Sequence, residues 1–402
     1  MITISKINPN CFLLKQKGAH TFYIKSSIFA GSRFEPVGKY GLAHLCEHLL
    51  TNEIDRSVLN SPDKYNYISE TNGMVEREFC NYWIKTTLPY SKRAMLSLAS
   101  LFSLNSLSIT DFENEKQVIT GAAIQHESTE DPYYLLLDST YDALYGKEYQ
   151  LSHTELGFSD TCKSLTFSDY NEFYEKYYKN GRKVIVFYGD IEEKDIDLNL
   201  IDQIFSKNEF PEVAPLPLYN PQKINIEMPI GTTEISIATR IEKANKISRH
   251  IIIDLCGFIL GKIPQSILYK ILRTQYSLVY DTHTRIKHYI DTSIFIIYLG
   301  ISEKNLKTKA IDLVFESLKN IQNFLREDEF EVYKEAFCER YLMNFDNPTN
   351  LTNYVISNSI LDKSVYSPIE LIHQIKRIKY LDMIDFFNKY LNEDKLSVVI
   401  YN

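Results

Sequence analysis

Apolar residues along this chain switch between two periods, and the switches divide it into strands and helices. Alternation of apolar and polar positions predicts strands at His20–Ala30, Tyr65–Val75, Phe79–Thr87 and Lys183–Tyr188 in the first half. In the second half it predicts them at Lys223–Met228, Thr233–Arg240, Leu278–Lys287, Thr292–Leu299 and Leu396–Tyr401. Apolar residues recurring every three or four positions predict helices over Gly41–Asn52, Ser91–Leu104, Asp111–Glu127, Tyr133–Tyr145 and Asp169–Tyr178. Further helices are expected at Ser248–Leu260, Gln265–Arg273, Glu303–Leu325 and in a series from Asp328 to Tyr390. The fold class is α+β, with mostly antiparallel sheets covered on one side by helices.

The pattern repeats. Phe173-Tyr174-Glu175-Lys176-Tyr177 followed by Lys183-Val184-Ile185-Val186-Phe187-Tyr188 has a counterpart 213 residues later, Phe386-Phe387-Asn388-Lys389-Tyr390 followed by Leu396-Ser397-Val398-Val399-Ile400-Tyr401. Each copy reads as an amphipathic helix, a polar turn and an apolar strand, which points to two homologous α/β sandwich halves related by duplication. A chain of 402 residues is long enough for two domains. The proline-rich segment from Pro211 to Pro221 supplies a semi-rigid boundary, giving a first domain at 1–210, a linker at 211–222 and a second domain at 223–402.

The stretch His44-Leu45-Cys46-Glu47-His48 carries the chemistry. On a helix His44 and His48 lie one above the other and can reach one metal ion, while Glu47 sits on the same face at hydrogen-bond distance from a water on that metal. Zinc suits two imidazoles and lowers the pKa of its water toward about 7, where Glu47 can act as base. The spacing is that of an inverted zincin. A solvated helix face can also carry two histidines and a glutamate.

The run from Ala30 to His44, entering through Arg33, Pro36 and Gly41, resembles the approach to the active-site helix of the pitrilysin/insulinase family, which includes mitochondrial processing peptidases. The segment Asn72-Gly73-Met74-Val75-Glu76-Arg77-Glu78-Phe79-Cys80-Asn81-Tyr82 is similar to that family's Asn-containing strand, whose open edge takes the substrate by main-chain pairing. The resemblance therefore implies substrate contact at Asn72 and Gly73. The family also carries an Arg and a Tyr seven residues apart that reach the substrate at the metal, and Arg273 and Tyr280 match them. Its two halves face each other across a cleft or chamber.

One position departs from the family. Its third ligand is a Glu seventy-odd residues after the second His, preceded by a supporting Glu seven positions earlier. Aligning Glu115 with the supporting residue places Ala122 at the ligand position. Three explanations stand: the alanine is a disarming substitution, another group completes the site, or the chain is a degenerate subunit. His126 and Glu115 share a helix face with Ala122 and are the groups that can fill in, directly or through water, whereas Gln125 and Glu127 point elsewhere.

Composition limits the setting. A formal charge of −8 without a basic cluster argues against nucleic acid and against an anionic membrane surface. No run approaches the ~20 apolar residues of a membrane span, and the first residues lack a signal-peptide pattern, so a cytoplasmic address is expected. The six cysteines, at 11, 46, 80, 162, 256 and 338, have no paired spacing and read as reduced structural thiols. His20, His153, His250, His283, His288 and His373 have no partner at ligand spacing and read as surface or capped core histidines. The expectation is a zinc-dependent endopeptidase acting on peptides or leader segments, alone or as a subunit in a homodimer or heterodimer. The alternative is a non-catalytic peptide-binding or scaffold subunit that has lost its third ligand.

Overall fold

The alternating stretches of the first half assemble into one six-stranded sheet. Its strands are β1 (Ile2–Asn8), β2 (Cys11–Gln16), β3 (Thr21–Ile28), β4 (Ser69–Val75), β5 (Cys80–Thr87) and β6 (Lys183–Gly189), in the order β1-β2-β6-β3-β5-β4. The second half supplies β7 (Lys223–Ile226), β8 (Thr233–Glu242), β9 (Asp281–His288), β10 (Thr292–Ile301) and β11 (Ser397–Tyr401), in the order β7-β11-β8-β10-β9. Without β1 the two orders coincide strand for strand. The parallel pair also falls at the same place, β2 with β6 and β7 with β11, and the other neighbours are antiparallel. The duplication read from one helix-strand repeat thus extends through both sheets.

This computed structural model describes residues 2–59, 69–102, 107–129, 131–205, 207–228, 231–242, 247–361 and 364–402. The beginning of the strand expected at Tyr65–Val75, the end of the helix expected at Ser91–Leu104 and residues 362–363 of the helical series lie outside them. Two strands, β1 and β2, had no counterpart in the sequence reading. β2 opens with a four-residue apolar run, Cys11-Phe12-Leu13-Leu14, buried between two neighbours, and so short a run lacks a period to detect.

The chain divides into two compact units whose contents are not sequential. The first comprises Met1–Thr129, His153–Ala214 and Phe345–Ser367; the second comprises Glu130–Ser152, Pro215–Asn344 and Pro368–Asn402. Relative to the ranges 1–210 and 223–402, each unit takes in one segment from the other half of the sequence. In the second unit the helix Pro132–Tyr145 packs Tyr141, Leu144 and Tyr145 on Ala238 of β8 and on Ile294 and Ile296 of β10. In the first, the helix Pro348–Ile360 lies on β3 and β6, where Asn353 accepts a 2.7 Å bond from Lys25 and the Ser359 carbonyl a 2.8 Å bond from Arg182. Lys25 and its neighbour Ile24 point to opposite pleat faces, and Ile24 packs with Met95 and Leu98 of the helix Ser91–Ala99. Both faces of this sheet are therefore covered, not one as expected, because the exchanged helix closes the second.

Three buried charged side chains hold the first unit. Arg33 Nη1 and Glu78 Oε1 pair at 2.5 Å with both side chains excluded from water. Their segments are stitched by main-chain bonds from Gly31 to Glu78, Ser32 to Glu76 and Arg33 to Arg77. A Cβ on Gly31 would lie 2.2 Å from the Glu76 carbonyl, so only glycine permits the approach. Lys183 on β6 is fully buried and donates to the carbonyls of Lys179, Gly181 and Lys207 at 3.0–3.2 Å. Those bonds favour the ammonium, but burial outweighs them and lowers its pKa to about 8.

Arg33→Met should cost about 3–5 kcal/mol in urea unfolding because it strands a buried carboxylate, and the double variant with Glu78→Leu should recover much of that loss. Between pH 8 and about 10.5 the unfolded chain holds the proton that folded Lys183 sheds, so its contribution to stability rises with pH across that window. Urea midpoints for Lys183→Met should accordingly rise less between pH 8 and 10 than those of the parent chain.

Candidate metal centre

The motif helix, Leu42–Leu59, begins at a fixed point. Gly41 takes a left-handed φ of 98°, and the buried Glu35 carboxylate accepts from the Gly41 and Ala43 amides at 3.0 and 2.7 Å. A carboxylate at a helix start satisfies orphan N–H groups and opposes the helix dipole. Burial raises the Glu35 pKa, while His153 and the two amides pull it back. His153 Nε2 lies 3.4 Å from that carboxylate and donates to the Ser32 carbonyl at 2.9 Å, so this histidine is part of the support. Sequence spacing gave no sign of either residue.

Leu45, Cys46, Leu49 and Leu50 are fully or almost fully buried along the helix. His44, Glu47 and His48 project together on it. One ligand atom from each lies within 4.8 Å of the other two, and among the described residues this is the group able to hold a metal ion. The two imidazole rings stand edge to face, centroids 4.7 Å apart. Burial, reinforced by His48, lowers the His44 pKa to about 4, with the Leu156 carbonyl a weak counterweight; His44 Nδ1 makes no hydrogen bond of normal geometry. His44 is consequently neutral near pH 7, the form that ligates metal. Glu47 Oε1 accepts from Thr51 at 3.0 Å, and its pKa is raised because burial outweighs the pull of His48 and of Thr51.

Glu115 has a different place from the ligands. Its Oε2 meets His48 Nδ1 at 2.9 Å and its Oε1 accepts from Asn52 at 2.8 Å. With Nδ1 engaged, His48 turns Nε2 toward Glu47, 3.9 Å away, which is the outer-shell arrangement that fixes a ligating histidine. Glu115 therefore meets His48 from behind and stands outside the three-residue group. It lies on the helix Ile109–Glu127, which Arg56 ties to the motif helix through Asp111. Ala122 is on the same helix and offers no donor atom. His126 stands outside the three-residue group, and Glu127 accepts from the Ser159 amide at 2.7 Å.

Beside the helix runs β4, the edge of its sheet, paired on one side by β5. Gly73 on β4 faces Glu47 so closely that a Cβ there would fall 1.9 Å from Glu47 Oε1 and 2.4 Å from Thr51 Oγ1. Asn72 is exposed and accepts from the Gly73 amide at 2.9 Å. Arg273 and Tyr280 belong to the second unit. Arg273 lies within a wide helical turn, Tyr269–Gln275, with its guanidinium 5.5 Å from the Tyr280 ring centre, and Tyr280 precedes β9 with 73 % of its surface exposed. Thr51 and Asn52, which touch Glu47 and Glu115, are functional candidates absent from the sequence reading; their one-turn spacing from Glu47 and His48 was the available signal.

Zinc fits this donor set at two points, His44 and His48, with Glu47 alongside, and falls one protein ligand short of the usual three. A family profile described as "Insulinase (Peptidase family M16)" matches residues 11–154, and one described as "Peptidase M16 inactive domain" matches residues 164–337. The chain belongs to the insulinase family. Within that family it is 21 % identical to a protein named "Uncharacterized zinc protease" from Rickettsia bellii, across 99 % of this chain and 97 % of the relative. It is 23 % identical to the mitochondrial-processing peptidase subunit beta of Saccharomyces cerevisiae, across 92 % of this chain and 84 % of that one. The crystal structure of a protease from Helicobacter pylori has the same fold, with a TM-score of 0.82 at 17 % identity over 100 % of this chain and 99 % of that one. Family membership makes this the chain of a zinc-protease family. Among the described residues no helix is long and apolar enough to cross a membrane.

If Glu115 fixes the tautomer of a ligand, Glu115→Ala should weaken zinc binding by about 10- to 100-fold in a chelator competition, with the circular-dichroism spectrum unchanged. An unaltered zinc affinity would remove Glu115 from the site.

Proposed function

We propose that this chain is a zinc-dependent endopeptidase, or the metal-bearing subunit of a dimeric one, acting on peptides or leader segments in the cytoplasm. The observation that carries this reading is the convergence of His44, Glu47 and His48 with His48 held from behind by Glu115. A purely structural helix has no use for two oriented imidazoles and a carboxylate whose pKa is raised by burial.

In this reading His44 and His48 hold zinc, which when bound acidifies water and polarises a carbonyl. A peptide pairs along the open edge of β4, past Asn72 and Gly73, and the absence of a side chain at Gly73 lets its main chain approach Glu47. Glu47 takes a proton from the attacking water and returns it to the leaving nitrogen; its raised pKa suits both transfers. The family resemblance assigns Arg273 and Tyr280 the negative charge that grows on the substrate oxygen.

Ala122 favours a second reading, a non-catalytic subunit that binds peptide for an active partner. Two protein ligands hold zinc more weakly than three, so the two readings separate on metal content.

The deciding experiment compares the chain as it stands with Ala122→Glu for zinc stoichiometry and for hydrolysis of a quenched peptide library. We expect tight zinc and chelator-sensitive cleavage with glutamate at this position, and weaker zinc without it. Adding Glu47→Gln to the active form should lower the rate by about 10²–10⁴-fold while zinc is retained. Absence of zinc and cleavage in both forms would decide for the non-catalytic subunit.

A further inference from the structure

Next to Arg273 and Tyr280 the second unit has a cavity of about 340 Å³ whose walls include Ser277, Ser302, Glu303 and Leu306. Two features of its exposed wall bear on what it binds. Arg273 and Glu303 both line it, yet among the described residues neither is in an ion pair; Arg273 has a long 3.4 Å bond to the Val279 carbonyl and the faces of Tyr269 and Tyr280. The wall residue Ser277 has a φ of +50°, and among the described residues it is the one non-glycine in the left-handed region. Strained backbone persists where the surrounding structure fixes a functional geometry.

A cavity that keeps a guanidinium and a carboxylate apart and unpaired is complementary to a ligand carrying an acceptor and a cation on the same short frame. We infer that this cavity is a specificity subsite in which Glu303 receives a cationic nitrogen of the peptide, while Arg273 and Tyr280 take a nearby carbonyl oxygen. The inference rests on the proposed reading in taking the ligand to be a peptide and in giving its carbonyl oxygen to Arg273 and Tyr280. A lysine or arginine side chain and a free α-ammonium share the required chemistry. The hydroxyls of Ser277 and Ser302 add neutral partners for the peptide amides, and Leu278, Val279 and Leu306 supply apolar contact for a side-chain stem. Lys304, Lys307 and Lys309 surround Glu303 in sequence, but Lys307 donates to Asn402 and Lys309 lies over the Tyr276 ring, so both are engaged. Nothing in the motif helix reports this subsite, because it lies in the copy without the histidines.

The test is direct binding, measured by fluorescence anisotropy on the full chain with C-terminally labelled alanine-serine decapeptides. One series replaces a central lysine by glutamine, and the other compares acetylated with free amino termini. A cationic peptide should bind about fivefold more tightly than its neutral twin, less so at high salt. The preference should vanish in Glu303→Gln and turn toward acidic peptides in Glu303→Lys. A preference following lysine identifies the side chain as the occupant, and one following the free terminus identifies the α-ammonium. Equal binding of charged and neutral peptides, a preference that survives Glu303→Gln, or no measurable binding of any peptide would overturn the subsite. The proposed hydrolysis is judged separately in Ala122→Glu: charge-selective binding without cleavage refutes the peptidase alone, and cleavage indifferent to charge refutes the subsite alone.

Discussion

The structure depends most on the close approach of the motif helix to the edge strand β4. At Gly73 the strand gives up its side chain, and the space goes to Glu47 and Thr51 of the helix. A carboxylate can then be buried against a strand, with a hydroxyl as one partner, and burial raises its proton affinity. The helix cannot drift from this position. Glu35 pins its first turn through two amides, and Arg56 ties its last turn to the neighbouring helix at Asp111. That neighbour delivers Glu115 to His48, so anchoring at the helix end and orientation of the His48 ring come from the same contact between helices.

Duplication explains the plan, and its exchange of helices explains how each unit is closed. The helices Pro132–Tyr145 and Pro348–Ile360 start alike, an Asx cap followed by proline at the first helical position: Asp131 accepts from the Tyr133 amide, and Asn347 from those of Thr349 and Asn350. Each packs on the central strands of the unit that its sequence neighbours do not form, one on β8 and β11, the other on β3 and β6. Because the exchange is reciprocal, neither unit lacks a layer. It also means that neither half of the sequence contains the whole of one core.

Much of this was legible in the sequence where a long period or a motif spoke. Strands β3, β5, β6, β8 and β10 fall within two residues of the alternating stretches, the motif histidines and Glu47 come together as their spacing implies, and Glu115, singled out through the family resemblance, reaches His48. What was not legible is what depends on pairing across long separations. The capping carboxylate Glu35 and its partner His153 are more than a hundred positions apart with no common pattern, and β2 is too short to show one. Helix exchange leaves the periodicity of Pro132–Tyr145 unchanged, since an apolar face reads the same whichever sheet it covers. Glu115 could be placed on its helix through the resemblance, but its contacts with His48 and Asn52 required the direction of its carboxylate.

The two copies answer one packing demand in opposite ways, which leaves the His44, Glu47 and His48 group to the first. In the second unit the helix Ile247–Gly261 lies on the edge strand β9 much as the motif helix lies on β4. There the glycines are on the helix: a Cβ on Gly257 would meet Ile286 at 2.4 Å, and one on Gly261 would meet Thr284 at 2.8 Å. At the 213-residue offset of the repeat, these two glycines occupy the positions of His44 and His48. The second copy thus gains its close contact by removing side chains from the helix, and the first gains it by removing one from the strand. A helix stripped to glycine can present no ligands, whereas a strand stripped at Gly73 leaves the helix free to carry an acid and two imidazoles. Ala122 offers no donor atom and leaves that arrangement undisturbed, because the approach of helix to strand is set by Gly73, Glu35 and Asp111.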